Sequence, residues 1–174
     1  MKVIFLEGLP GVGKTTIINR IRDMNIKNVH VVDEIIETGD LSLQSFYMNN
    51  DLKKYNMYKE GIIIIDRGPI STLSYNECKR LISDNKDLPV VQEWFEKTFK
   101  NIYLKDNVQT IYLKSKNNHY LLRYEDDKDS YGSIENLKLL EGITINNIKK
   151  FCNSYRFLNM DEYGIEEVIN EIIN

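Results

Sequence analysis

The chain predicts an α/β fold of three layers, a parallel five-stranded sheet with helices on both faces. Three observations carry this. Short aliphatic runs alternate along the 174 residues with segments of helical spacing. One run, Ile62-Ile63-Ile64-Ile65, is apolar on both faces, as a central parallel strand is. A glycine-rich turn, Gly8 to Thr15, joins the first run directly to the first helix. No internal repeat and no Pro/Gly/Ser-rich linker interrupts residues 1–174, so they read as one domain, long enough to bury a core.

Residues 2–7, with Val3-Ile4-Phe5-Leu6, form the first predicted strand, and 14–23 the first helix. Val29-His30-Val31-Val32 is the second strand and ends at Asp33-Glu34. In 41–59, Leu41, Phe46, Leu52, Tyr55 and Tyr58 recur at helix-like spacing. Gly61 stops that helix before the third strand, 62–65, and Pro69 opens a helix to about residue 83. A further helix follows Pro89, and 108–113 is the fourth strand. Residues 115–132 are polar and charged. A helix over 133–152, a fifth strand at 155–158 and a closing helix at 165–173 complete the order. Parallel sheets of this kind bind ligands at the carboxyl ends of their strands.

Gly8-Leu9-Pro10-Gly11-Val12-Gly13-Lys14-Thr15 completes G-x-x-x-x-G-K-[ST] between a strand and a helix, which makes the fold a P-loop NTPase fold. Gly8, Gly11 and Gly13 let the backbone turn so that its N–H groups, including those of Val12, Thr15 and Thr16, converge on an anion. The helix N-terminus adds unpaired donors. Lys14 sets a full charge against the terminal phosphates, and the Thr15 hydroxyl can ligate Mg²⁺. The expected ligands are ATP and Mg²⁺.

Other candidates sit at strand ends. Asp66, after the third strand, is placed to serve magnesium. Arg67 can grip a phosphate or an acceptor oxygen. Glu34, after the second strand, can take a hydroxyl proton or orient the acceptor, with Asp33 and Glu37 competing for that role. Arg123 lies in the polar stretch expected to close as a lid and neutralise transition-state charge; the run 125–129 beside it reads as a solvated face. Tyr75, with Phe46, Tyr47 and Tyr58, offers an aromatic slot for a flat base, against the alternative of ordinary core.

Lys+Arg 23 against Asp+Glu 26 gives net charge -3, which argues against broad nucleic-acid binding. The longest purely aliphatic stretch, 62–65, is far too short to span a bilayer, and the N-terminal run ends at Glu7 with no cleavage site. Cys78 and Cys152 match no metal or redox spacing and are expected as reduced thiols packed on helices, in a cytoplasmic protein.

Asp66-Arg67-Gly68-Pro69-Ile70-Ser71-Thr72-Leu73-Ser74-Tyr75-Asn76 resembles the D-R-Y-x-x-S-x-x-A-Y-Q region of thymidylate kinases, and Phe5-Leu6-Glu7-Gly8-Leu9 is similar to the lead-in of their phosphate loop. The deoxynucleoside kinases share the architecture, with a glutamate after the second strand that Glu34 matches by position. The resemblance implies magnesium at Asp66, the acceptor's phosphate or hydroxyl at Arg67, its sugar face at Tyr75, and pairing of two copies through the helices flanking the third strand. By position, 160–163 would hold adenine. Pro10, Asp33-Glu34-Ile35-Ile36 and Thr72 depart from the thymidylate kinase pattern, which leaves the base of the acceptor open.

The expected reaction is therefore transfer of the γ-phosphoryl group of ATP to a nucleoside or nucleoside monophosphate. Other acceptors, such as a sugar, an antibiotic or an RNA 5′ end, and a plain ATPase are the alternatives. A GTPase is excluded because Asn85-Lys86-Asp87-Leu88 carries its acid one place early for N-K-x-D and precedes no strand.

Overall fold

In a computed structural model, residues 1–115 and 133–173 are described. Five strands, β1 (Lys2–Gly8), β2 (Val29–Val32), β3 (Ile62–Asp66), β4 (Val108–Lys114) and β5 (Tyr155–Asn159), form one sheet of order β2-β3-β1-β4-β5, parallel at every pairing. Among the described residues the helices are α1 (Lys14–Asp23), α2 (Gln44–Asn56), α3 (Pro69–Ile82), α4 (Leu88–Thr98), α5 (Lys100–Tyr103), α6 (Ile134–Phe151) and α7 (Ile165–Ile173). The predicted three-layer fold is the observed one, and strand bounds agree to within a residue.

Alternation along the strands divides the core into two layers. Ile4 and Leu6 of β1, Ile64 of β3 and Ile111 and Leu113 of β4 pack with Ile17, Ile18 and Ile21 of α1 and Val168, Ile169 and Ile172 of α7. Val3 and Phe5, Ile63 and Ile65, and Val108 and Tyr112 face the other way, onto Ile70 and Leu73 of α3, Val91 and Phe95 of α4, and Phe151 of α6. Burying one such side chain contributes about 1.5–3 kcal/mol. Three fully buried isoleucines in β3 therefore outweigh strand-propensity differences of about 1 kcal/mol. The register Leu6↔Asp66 sets the carboxyl ends of β1 and β3 side by side, and that pairing positions the site.

One helix differs from its sequence pattern. The segment 41–59 is helical only over Gln44–Asn56, and Leu41 and Leu52 are 56% and 39% exposed. The buried face of α2 is Phe46, Asn50, Asp51 and Lys54. Apolar spacing marks the inward face of a helix only where that face meets core; α2 turns inward onto a polar cavity.

Cys78 lies in α3, and Cys152 follows α6 directly. Both are buried and free. Burial pushes the Cys152 thiol up to about 12 and raises Cys78 as well. Thiolate is the reactive form, so folded protein at pH 8 should leave both unlabelled by a thiol-exchange reagent, with two equivalents reacting in denaturant. Rapid labelling of either thiol without denaturant would contradict this packing.

Candidate active site

The turn after β1 carries Gly8, Gly11 and Gly13 at φ 146, 77 and 106. At Gly8 the chain runs so close to β4 that a Cβ would stand 2.7 Å from the Leu113 carbonyl oxygen. The turn ends at the N-terminus of α1, whose first N–H groups have no helical partner. Lys14 folds back over this turn and donates to Gly8 O at 2.7 Å and Leu9 O at 3.0 Å, and it is 6% exposed. Burial pulls its ammonium well below the ordinary lysine value, and the Arg67 charge adds to this. Around these groups opens a cavity of about 240 Å³, lined by Pro10, Gly11, Gly13, Lys14, Thr15, Thr16, Glu34, Asp66 and Arg67. Val12, placed by sequence among the loop donors, is buried in the core with its amide 3.4 Å from Leu9 O.

Asp66 is buried, and its Oδ1 has no hydrogen-bond partner. Burial raises its carboxyl above the ordinary range, against the pull of Lys14. An orphaned carboxylate oxygen on a residue that lines the same cavity as Thr15 suits a divalent cation. Among the described residues no cluster of three or more His, Cys, Asp or Glu could hold a metal, so an ion here would have to share its coordination with phosphate oxygens.

A second cavity, of about 350 Å³, lies on the other side of Arg67, between α2 and α3. Its wall includes Glu34, Gln44, Tyr47, Asp51, Thr72, Tyr75 and Asn76. Pro10, Glu34 and Arg67 line both cavities. The three competing acids are separated by geometry. Asp33 pairs with Arg22 of α1 at 2.7 Å, and Glu37 with Lys53. Glu34 alone of the three turns to the cavities, its Oε1 3.0 Å from Arg67 Nε. That approach is close enough for an ion pair but not aligned for a hydrogen bond, since Arg67 Nε has no hydrogen-bond partner. Asn50 holds the Glu34 segment by donating to Glu34 O at 2.8 Å and accepting from Ile36 N at 3.1 Å.

Arg67 Nη1 donates to the Tyr75 hydroxyl at 2.7 Å, and the guanidinium carbon lies 5.4 Å from the centroid of that ring. Burial opposes the Arg67 charge, but Tyr75, Glu34, Glu7 and Asp66 hold its pKa above the ordinary value. Tyr75 thus serves Arg67 as well as the cavity. Arg67 has φ 52, a conformation that for a non-glycine residue costs on the order of 1–3 kcal/mol and gathers at functional sites. The next residue must be glycine, because a Cβ at 68 would stand 2.4 Å from Phe5 Cδ1. Phe46 is core, and Tyr58 stacks on His30 with ring centroids 4.1 Å apart, so neither lines the slot. Tyr47 does line it.

Sequence reasoning passed over several residues. Glu7 is fully buried, with both carboxyl oxygens engaged by Ser71 Oγ and, at 2.9 Å, by Gly68 N. Burial raises its pKa, and the Ser71 hydrogen bond and the Arg67 charge oppose the rise. Asp51 pairs with Lys54 at 2.9 Å and accepts from Thr72 Oγ1 at 2.7 Å. Asn85 donates to Asn76 Oδ1 at 2.9 Å, and Asn76 donates to Gln44 Oε1 at 2.8 Å. The available signal was the acid closing the first strand and the polar i, i+4 positions 50 and 54 of α2. Asn159 Nδ2, at the end of β5 and next to the 160–163 segment, is a further buried donor without a partner. Arg123 and the run 125–129 lie outside the described residues.

No family model and no curated protein matches the chain. Solved structures do. The chain is similar to thymidylate kinase from Candida albicans at 14% identity and TM-score 0.69, over 98% of this chain and 88% of that one. Deoxyadenosine kinase from M. mycoides with bound dATP matches at 16% identity and TM-score 0.70, over 100% of both chains. The same kinase with the products dCMP and dCDP matches at 19% identity and TM-score 0.70, over 99% and 97%. The chain therefore has the P-loop fold seen in the thymidylate and deoxynucleoside kinases.

Proposed function

We propose that the protein is a cytoplasmic ATP-dependent kinase that moves the γ-phosphoryl group to a nucleoside or nucleoside monophosphate. The observation that carries this is the junction of the two cavities at Glu34 and Arg67. A triphosphate in the loop cavity and an acceptor between α2 and α3 would meet there. The solved kinases of this fold support the reading.

In this reading the loop amides and Lys14 bind the phosphates, and Lys14 exchanges the Gly8 and Leu9 carbonyls for phosphate oxygens. Arg67 spans the junction and neutralises charge on the group in transit. Glu34 receives the proton of an acceptor hydroxyl as its oxygen bonds to the γ-phosphorus and the bond to the bridging oxygen of ADP breaks. Tyr75 lies against the sugar and steadies Arg67. Thr15 and Asp66 would hold Mg²⁺, which supplies positive charge across the phosphates. Arg123 is the sequence-based candidate for further charge neutralisation.

An acceptor panel run with MgATP and coupled to ADP release tests the reading. Turnover with a nucleoside or nucleoside monophosphate is expected. Turnover only with sugars, antibiotics or RNA ends overturns the acceptor class, and full ADP release without acceptor makes the protein an ATPase. For Asp66→Asn, the Mg²⁺ concentration needed for half-maximal turnover should rise about tenfold or more, because one charge-assisted contact is lost. A magnesium titration superimposable on that of wild type would remove Asp66 from the metal site.

A further inference from the structure

The peptide between Arg67 and Gly68 is gripped at both ends by buried ionisable side chains. Its carbonyl accepts from Lys54 Nζ at 2.9 Å, and its N–H donates to Glu7 Oε1 at 2.9 Å. Lys54 Nζ also donates to Asp66 O at 3.3 Å and pairs with Asp51 Oδ1 at 2.9 Å. An ammonium has three donors, so these three oxygens occupy all of them. Lys54 lines the acceptor cavity but is 2% exposed and has no donor left for a ligand. Glu7 Oε2 is engaged by Ser71, one turn into α3. The grip comes from two elements far apart in sequence, β1 and α2, and closes on the one residue, among those described, that combines a left-handed backbone with a place in both cavities.

We propose that Glu7 and Lys54 are positioning residues. By holding the Arg67–Gly68 peptide from its N–H and its carbonyl, they keep Arg67 left-handed and its guanidinium on the wall between the cavities. The inference rests on the phosphotransfer reading for its kinetic consequence, but its structural consequence stands without it. A strained backbone persists only where its surroundings over-determine it, and a misplacement of about 1 Å is enough to slow transfer about a hundredfold.

Two variants test it, Lys54→Met and Glu7→Leu, each removing one of the two hydrogen bonds that hold the peptide. Each is made alone and in an Arg67→Gly background, where glycine adopts positive φ unaided. For each single variant kcat should fall about tenfold to a hundredfold with KM for MgATP and acceptor within about twofold of wild type. The loss of melting temperature should be smaller in the Arg67→Gly background than with Arg67 present. Equal melting losses in both backgrounds would make the two residues ordinary core and overturn the proposal. A rise in acceptor KM at unchanged kcat for Lys54→Met would overturn it in favour of direct acceptor binding. If a single variant does not fold, folding restored by Arg67→Gly supports the clamp, and no restoration overturns it. Wild type inactive on every acceptor would remove the functional reading and leave the melting comparison to decide the clamp.

Discussion

Lys14→Ala should abolish phosphotransfer while leaving the fold intact. In the proposed reading the Lys14 ammonium meets the terminal phosphates, and losing a single preorganised donor of this kind lowers kcat by about 10²–10³-fold. Stability should change little. The two carbonyl contacts of Lys14 are charge-assisted and worth about 1.5–3 kcal/mol each, which the relief of desolvating a buried ammonium offsets. ADP release at saturating MgATP and a melting curve on the same preparation check both halves. MgATP bound by Lys14→Ala as tightly as by wild type would sink the assignment. Proton linkage gives a second readout. Burial lowers the pKa of free Lys14, and bound phosphates raise it again. Binding therefore takes up a proton above the lowered value, and affinity should weaken as pH rises through it. Calorimetry of MgATP binding in two buffers of different ionisation enthalpy measures that uptake.

Glu34→Gln should separate a base from a phosphate ligand. With a hydroxyl acceptor, kcat should fall by about 10²–10⁴-fold, the range for a positioned general base, with ATP affinity nearly unchanged. The amide keeps the shape and the hydrogen-bonding reach of Glu34 but cannot take the proton. With a monophosphate acceptor the nucleophile is already ionised and the loss should be much smaller. Glu34 is 49% exposed on its side chain, so the substitution carries little folding risk. A kcat for Glu34→Gln equal to wild type on a nucleoside that wild type phosphorylates would take Glu34 out of the mechanism.

The likeness to the solved kinases combines identities of 14–19% with TM-scores of 0.69–0.70. Burial asks only for apolar side chains of suitable volume at alternate positions, so few residue identities need survive for the sheet to be the same.

What the sequence by itself determined is the part written in local periodicity and backbone chemistry. Five apolar runs at strand spacing, the all-isoleucine strand 62–65 and the turn from Gly8 to Thr15 specify the parallel sheet and its phosphate loop. Each rests on residues within a few positions of one another. The cavity between α2 and α3 depends on long-range pairing, and only the tertiary structure decided its lining. The sequence puts Glu34 first and leaves Asp33 and Glu37 competing with it; pairing with Arg22, Arg67 and Lys53, from three separate segments, tells them apart. Glu7 ends an apolar run like any strand-terminal acid, yet it reaches Gly68, 61 residues away. Helix α2 concealed its inward face because that face is Asn50, Asp51 and Lys54, and buried polar side chains are tolerated only where partners on other elements satisfy them. Those partners, Glu34 and Ile36 after β2, Asp66 and Arg67 at the end of β3 and Thr72 of α3, meet α2 only in the folded chain.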